Sequence, residues 1–241
     1  YDDMDEDFNP IQAKGLRQYN GYTWNFKEIA RQLYRVTKPG GVVVWVVGDV
    51  TINGSESLAS SLQKIYFRRV GFNLHDTMIY ERYGAPSVAV IHKRYEQYWE
   101  YMFVFSKGMP VTCNHLLEQK TYIDRRQSKS GKRTPDGQNK RRYDPKVFET
   151  GNKIRGNVWS YAVGGGHIFT GNIDIDHPAI FPESLARDHI ISWSNPGDIV
   201  LDPFAGSGTT AKMSKVLQRQ FIGFDISQEY VDLARRRIAA A

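Results

Sequence analysis

A glycine-rich stretch near the carboxyl end of the chain most constrains its fold. The segment 202–210, Asp-Pro-Phe-Ala-Gly-Ser-Gly-Thr-Thr, lies between an apolar run that predicts a strand at 199–201 and a helical pattern at 209–217. Gly206 and Gly208 permit a tight turn and a close approach of the backbone to a ligand. A second apolar run, at 221–224, ends at Asp225. This order predicts two parallel neighbouring strands with a nucleoside site at their carboxyl ends.

The rest of the chain shows the same alternation of helical and strand patterns. The run at 42–47 is apolar throughout and rich in β-branched residues, which is typical of a strand covered on both faces. The fold class predicted is α/β, with a largely parallel sheet and helices on both faces. A length of 241 residues suits one large domain, or one domain with an insertion. The other predicted helices are 24–36, 58–70, 182–193 and 228–238, and the other predicted strands are 74–80 and 98–105.

Composition excludes several classes of protein. Aromatic residues make up 13% of the chain, enough for a sizeable core, so a fully disordered chain is excluded. No apolar stretch approaches the roughly 18 residues of a membrane-spanning helix, and the acidic start is unlike a signal peptide. A single cysteine, Cys113, excludes an intramolecular disulfide and a thiolate zinc cluster and indicates a reducing compartment. The six histidines show no paired metal spacing, so no metal is expected.

Positive charge is concentrated in one segment. Residues 120–155 contain twelve Lys+Arg against four Asp+Glu, whereas the whole chain has a net charge of +6. Such a block is often only a solvated loop. Cationic sequence interleaved with aromatic residues also suits phosphate contact and base stacking. The aromatic residues within or just after the block are Tyr122, Tyr143, Phe148, Trp159 and Tyr161.

Three ordered motifs resemble those of a known family. Segment 202–209 resembles the S-adenosylmethionine loop of the DNA amino-methyltransferases, which modify adenine N6 or cytosine N4. Segment 177–183 with Leu185 is similar to that family's adjoining cofactor motif, and 221–230 to its ribose-binding strand. The resemblance implies a Rossmann-like methyltransferase fold in circularly permuted order, with S-adenosyl-L-methionine as cofactor. The residues it implies for cofactor binding are Phe181, Pro182, Asp202, Pro203, Phe204, Gly206, Ser207, Gly208, Thr209 and Asp225.

The order of these parts resembles the β-type arrangement of the family, in which the catalytic motif comes first and the cofactor motifs last. It implies a catalytic half at 1–108, a basic target-recognition insertion at 109–167 and a cofactor-binding half at 168–241. The first four residues, Tyr-Asp-Asp-Met, are similar to the residues after the two prolines of the family's catalytic Asp/Ser-Pro-Pro-Tyr motif. Because Asp/Ser-Pro-Pro itself is absent, we expect the printed sequence to start downstream of the true N-terminus or to omit residues.

The resemblance also implies a chemistry. An exocyclic amine is a poor nucleophile, because its lone pair is delocalised into the ring, and the family's catalytic motif accepts its hydrogens. Tyr1 occupies the position of the catalytic aromatic that stacks on the flipped base. Cytosine N4 is favoured over adenine N6, since the start of the chain resembles the continuation of Ser-Pro-Pro-Tyr. The side chains expected to bind DNA are Arg125, Arg126, Lys132, Arg133, Lys140, Arg141 and Arg142.

Other functions stay open at this point. They are an RNA or protein-glutamine methyltransferase, a nicotinamide dehydrogenase and a DNA-binding module without catalysis. Asp-Pro-Phe before the glycines argues against the dehydrogenase. Cys113 lacks the preceding proline of the cytosine-C5 nucleophile, so it is expected to be inert. The partner expected is DNA, with no membrane and a homodimer left open. The location expected is the cytoplasm of a bacterium or the nucleus of a eukaryote.

Two smaller features allow two interpretations each. Asp49, at the end of the predicted strand 42–47, either lines the site or caps the following loop. A group of aromatic residues near the predicted strand 98–105 is expected to be core rather than base-stacking. Its members are Tyr95, Tyr98, Trp99 and Tyr101.

Overall fold

A computed structural model describes residues 25–52, 54–83, 93–120, 132–133, 139–140, 151–162 and 181–241. The predicted helices and strands all occur, with ends shifted by no more than three residues, because their local apolar periodicity is strong. The helices are α1 (Phe26–Val36), α2 (Ala59–Val70), α3 (Glu183–Trp193), α4 (Thr209–Val216) and α5 (Gln228–Ala239). The longer strands are β1 (Val42–Val47), β4 (Asn73–Tyr83), β5 (Trp99–Ser106), β10 (Val158–Ala162), β11 (Ile199–Asp202) and β12 (Gln220–Gly223). The short strands are β2 (Thr51–Ile52), β3 (Ser55–Glu56), β6 (Leu117–Gln119), β7 (Lys132–Arg133), β8 (Asn139–Lys140) and β9 (Asn152–Ile154).

The main sheet has the order β1-β5-β4-β10. The α/β class is confirmed, but this sheet is mixed where a largely parallel one was expected. β5 is antiparallel to both β1 and β4, and β10 is parallel to β4. A parallel pair needs a crossover, usually a helix, and the sequence patterns predict none between β4 and β5. β11 and β12 are parallel to each other, as expected.

Helices α1 and α2 pack against the main sheet through aromatic side chains. Phe67 stacks on Phe105 with ring centroids 4.5 Å apart. The indole of Trp45 donates a hydrogen bond of 2.8 Å to the buried amide oxygen of Gln63. Leu201 of β11 packs against the same cluster. In the strand at 42–47, Trp45 is buried and the other five residues are half-buried, so this strand is only partly covered.

The two aromatic residues of β10 belong to the core. Trp159 and Tyr161 are buried, and the Tyr161 hydroxyl donates a 2.6 Å hydrogen bond to the Asp188 carboxylate of α3. Of the aromatic residues beside the basic block, these two are therefore not exposed for base stacking. Because they alternate with more exposed residues along a strand, both lie on its covered face.

The aromatic group before and within β5 is mostly exposed, so the expectation that it forms core is wrong for three of its four members. Tyr95, Tyr98 and Trp99 are exposed, whereas Tyr101 packs against the main core. The buried part of β5 begins only at Met102, and alternation along the sequence does not show where burial starts on a strand.

The chain divides into two compact units, Tyr1–Asn114 with Asn157–Ala241, and His115–Gly156. In the second unit, β6 pairs antiparallel with β9, where Glu118 and Lys153 form a 2.9 Å ion pair. β7 and β8 are also antiparallel. Within the described ranges, no helix is long and apolar enough to cross a membrane, and no cluster of three or more His, Cys, Asp or Glu could hold a metal ion.

Candidate cofactor site

The carboxyl ends of β11 and β12 bring two aspartates to the same edge. Asp202 is in register with Gly223, two residues before Asp225. The backbone continues this pairing past the strands, because the Phe224 N–H donates to the Asp202 carbonyl at 3.0 Å and the Ala205 N–H to the Phe224 carbonyl at 2.8 Å. The loop after β11 is thus fixed against the chain that leads to Asp225.

The loop turns into α4 through two glycines in the left-handed region. Gly206 has φ of 48°, and Gly208, the N-cap of α4, has φ of 81°. A Cβ on Gly208 would lie 2.6 Å from the Cβ of Ala234 and 2.8 Å from its Cα. Position 208 therefore needs glycine both for its backbone angle and for contact with α5. The loop begins with the Asp202 carboxylate, which accepts the Phe204 N–H at 2.9 Å.

The Asp225 carboxylate lies against this loop with spare capacity. One oxygen accepts the Gly206 N–H and the other the Ser227 N–H, each at 2.8 Å. An ionised carboxylate offers about four lone-pair positions, so about two are left for a ligand. Because the side chain is half-buried, it is accessible from one side. Two hydroxyls on adjacent carbons, as in a ribose, fit this acceptor.

Apolar side chains flank the same acceptor. Phe204, Phe224 and Ile226 are exposed, although each is large and apolar. A cluster of this kind beside a polar anchor is typical of a ligand-binding surface. The ring of Phe204 also meets that of Trp45 edge-on, at 6.2 Å between centroids, which joins the loop to β1. Acceptor, glycine loop and apolar surface together fit a nucleoside such as that of S-adenosylmethionine.

The adjoining motif reaches the loop through α3. Phe181 packs against the cluster of Ala186, Ile190 and Met213, which joins α3 to α4. Pro182 is buried at the N-cap of α3. Phe181 and Pro182 thus lie at the start of α3, which packs against α4, the helix that follows the loop.

Three charged side chains, from α3, α4 and α5, form a network at the loop; the sequence motifs included Glu183 but not Arg237 or Lys212. Arg237 of α5 donates to the Ser207 carbonyl at 2.8 Å and to its hydroxyl at 2.9 Å. Glu183 of α3 accepts from Arg237 at 2.9 Å and from Lys212 at 2.7 Å. A signal was present, since Arg237 falls in helical register with the apolar residues Leu233 and Ala234.

Comparison with known proteins identifies the family. Residues 6–236 match the model of a family described as DNA methylase, N6_N4_Mtase. The orphan methyltransferase M.BamHII of Bacillus amyloliquefaciens is 51% identical over 226 residues, which span 92% of this chain and 84% of that protein. The chain belongs to the DNA methylase family.

Solved structures give this methylase the same fold. It superposes on the PvuII DNA methyltransferase (cytosine-N4-specific) with a TM-score of 0.65 and 21% identity, covering 88% of this chain and 68% of that one. The M1.HpyAVI-SAM complex gives a TM-score of 0.58 and 23% identity, covering 88% of this chain and 81% of that one. At these identities the likeness shows the fold alone.

The predicted catalytic residue and most of the predicted DNA-binding residues of the methylase lie outside the described residues. These are Tyr1, Arg125, Arg126, Arg141 and Arg142. The remaining three lie in β7 and β8, where Lys132 pairs in register with Lys140 and Arg133 with Asn139.

Asp49 has a capping role in the methylase. Its carboxylate accepts the Ser60 N–H at 3.1 Å and the Ser57 hydroxyl at 2.9 Å, and it also accepts the Ser60 hydroxyl. These donors belong to the first turn of α2 and the residues just before it. Of the two interpretations of Asp49, the structure supports the cap.

Cys113 lies in an exposed segment of the methylase. Partial burial of the sulfur raises the pKa of its thiol above the ordinary value of 9.0. The thiolate, which is the nucleophilic form, is therefore scarce at neutral pH. This agrees with the expectation of an inert thiol.

Proposed function

We propose that this chain acts as a site-specific DNA methyltransferase that moves a methyl group from S-adenosylmethionine to the exocyclic amine of a flipped base, cytosine N4. The observation that carries the proposal is the Asp225 acceptor on the glycine loop of a chain that belongs to the DNA methylase family. The cofactor supplies an electrophilic methyl group on a sulfonium sulfur. The protein's part is to hold both reactants in line.

We assign cofactor binding to the carboxyl ends of β11 and β12. The free lone pairs of Asp225 accept hydrogen bonds from ribose hydroxyls, while Phe204, Phe224 and Ile226 offer apolar contact to the adenine ring. The tight turn at Gly206 and Gly208 keeps side chains out of the approach to the loop. Phe181 and Pro182 support this surface from α3.

The target base is handled by the start of the chain. In this proposal Tyr1 stacks on the extruded base, which offsets part of the few kcal/mol lost on unstacking. The amine then lies in line with the methyl group, and no covalent enzyme intermediate forms. Attack by a cysteine, as in C5 methylation, is not part of the proposal, because burial raises the pKa of Cys113 and no proline precedes it.

DNA binding is assigned to the basic insertion at 109–167. The excess of positive charge in 120–155 suits contacts to backbone phosphates. Lys132, Arg133 and Lys140 occupy neighbouring positions of the β7–β8 ladder. Such contacts orient the protein on the duplex, and some of the same side chains are expected to reach base edges.

One transfer assay tests the reaction class. The protein expressed from its full gene is incubated with methyl-labelled S-adenosylmethionine and either duplex DNA, RNA or protein. We expect label in DNA alone. Label in RNA or protein would contradict the DNA assignment. DNA binding without any methyl transfer would identify a DNA-binding module that has lost catalysis. Calorimetry distinguishes the site from that of a dehydrogenase, because a methyltransferase binds S-adenosylmethionine and a dehydrogenase binds NAD.

A second assay tests the base. Methylated DNA is digested to nucleosides, which are identified by mass spectrometry. We expect N4-methylcytosine, and N6-methyladenine alone would overturn the cytosine choice while leaving the DNA methyltransferase intact. Tyr1→Ala should lower turnover far more than cofactor affinity. Tyr1→Phe should retain much of the turnover, because the face of the ring does the stacking.

A further inference from the structure

Arg237 is a buried charge that is bonded to the cofactor loop. The residue is only 4% exposed, although it stands in a run of three arginines in which Arg235 and Arg236 are exposed. One guanidinium nitrogen donates to the Ser207 carbonyl, to the Ser207 hydroxyl and, at 3.3 Å, to the Thr209 hydroxyl. The three acceptors flank Gly208, so the guanidinium holds both sides of the turn into α4.

Glu183 supplies the opposite charge. Its Oε1 accepts from the second guanidinium nitrogen of Arg237 at 2.9 Å and from Lys212 of α4 at 2.7 Å. Glu183 is the first residue of α3 and follows directly on Phe181 and Pro182. One carboxylate oxygen thus ties three helices together around the loop.

The geometry makes this pair and the loop depend on each other. A buried cation is tolerated only with an opposite charge and further hydrogen bonds, and here the loop supplies those bonds. Arginine suits the position, because its planar fork reaches several acceptors at fixed angles, which an ammonium cannot do. If the pair is broken, Ser207 and Thr209 lose the donor that fixes their orientation.

We propose that Arg237 and Glu183 are positioning residues that set the shape of the loop 206–209 and thereby the affinity of the protein for S-adenosylmethionine. The inference rests on the proposed function, since it takes the loop to be the cofactor site. Neither side chain is assigned contact with the cofactor or with the reacting atoms. Their effect passes through the Ser207 backbone to Gly206, whose N–H is bonded to Asp225.

The test separates cofactor affinity from turnover and from stability. Arg237→Lys keeps the charge but loses the fork, and Glu183→Gln keeps the shape but loses the charge. The matched control is Arg236→Lys on the exposed side of the same helix. For each protein, calorimetry gives the Kd for S-adenosylmethionine, steady-state assays give kcat at saturating cofactor, and thermal unfolding gives Tm.

We expect the Kd to rise about tenfold or more in Arg237→Lys, which corresponds to about 1.4 kcal/mol, and several-fold in Glu183→Gln. At saturating cofactor, kcat should stay within a few-fold of the unmodified protein, and the control should leave both constants unchanged. Hydrogen exchange without cofactor should be faster at the amides of 206–209 in Arg237→Lys.

An unchanged Kd in the two variants, whatever their Tm, would overturn the inference and leave a purely structural ion pair. If Arg237→Lys does not fold, Glu183→Gln decides the question by the same Kd measurement. If the unmodified protein itself binds no S-adenosylmethionine, the proposed function fails instead. The two failures are therefore distinguishable.

Discussion

In the proposed cofactor site, the Asp225 carboxylate has two roles. It fixes the loop through Gly206 and the start of α5 through Ser227, and it still has lone pairs for a ribose. Asp225→Ala should therefore weaken S-adenosylmethionine binding by roughly 1–3 kcal/mol, the scale of hydrogen bonds to a charged group. Calorimetry measures the change. Asp232→Ala, which removes an acid from the same helix outside the segment 221–230, is the control and should bind normally. Normal binding by a folded Asp225→Ala protein would remove Asp225 from the site.

Asp198 supplies a pH-dependent contribution to stability. The Asn195 N–H, and after it Lys38, hold the pKa of its carboxyl below the ordinary value of 3.8. A lowered pKa means that the folded state favours the ionised form, so the stabilisation is present above pH 3.8 and is lost as the pH falls through the folded-state pKa. Asp198→Asn should cost about 1 kcal/mol at pH 7. Denaturant unfolding between pH 7 and pH 3 should show the difference beginning to shrink as the pH falls below 3.8, and a difference independent of pH would contradict this account.

Some residues of the candidate site could be identified from the sequence, and others could not. Asp202, Asp225 and the two glycines were identifiable, because turn, strand end and resemblance all indicated them. Arg237 was not singled out: its register with Leu233 and Ala234 was a signal, but a run of three arginines suggests a solvated surface, and its burial depends on how α5 packs against the loop. Asp49 was ambiguous for a similar reason: its donors lie in α2 and just before it, and Ser60 is eleven residues along the chain.

At the scale of elements, the loop and α5 are in close contact at Gly208. Gly208→Ala would add a Cβ 2.6 Å from Ala234 at a φ of 81°. We expect a loss of roughly 2–4 kcal/mol, which combines left-handed strain with overpacking. Gly197→Ala is the matched control, because Gly197 has φ of 88° but nothing within 4 Å of an added Cβ. It should lose only about 1–2 kcal/mol of strain. Equal losses in urea unfolding would show that the contact with Ala234 is unimportant.

Elements themselves were predictable because their signals are local. The helices and strands follow apolar periodicity and breakers such as the Lys-Pro-Gly-Gly run after α1. Strand direction is not local, and this is why the antiparallel β5 between β1 and β4 was missed. Burial along a strand is not local either: β5 is covered from Met102 onward, whereas Trp99 is exposed.

At the scale of the whole molecule, most of the positive charge and the proposed cofactor site lie in different parts of the chain. The glycine loop and Asp225 lie in the unit that contains the main sheet, while most of the basic excess lies in His115–Gly156. Not all of that charge is available to a polyanion, since Lys153 is paired with Glu118. On the proposed assignments, the affinity for DNA depends on the basic insertion, whereas the affinity for S-adenosylmethionine depends on the unit that contains the glycine loop.

This separation gives a prediction for DNA binding. Arg141→Ala combined with Arg142→Ala removes two charges from the insertion, and each phosphate contact contributes about 0.9 to the slope of log K against log salt concentration. The slope should therefore flatten by about 2 units, while the Kd for S-adenosylmethionine should stay unchanged. Arg235→Ala with Arg236→Ala removes the same charge from exposed positions on α5 and should leave the slope nearly unaltered. Fluorescence anisotropy of labelled duplex DNA at several salt concentrations measures the slope for both double variants. If the insertion double variant keeps the original slope, the basic segment is a solvated loop, and the DNA contacts must be sought elsewhere in the chain.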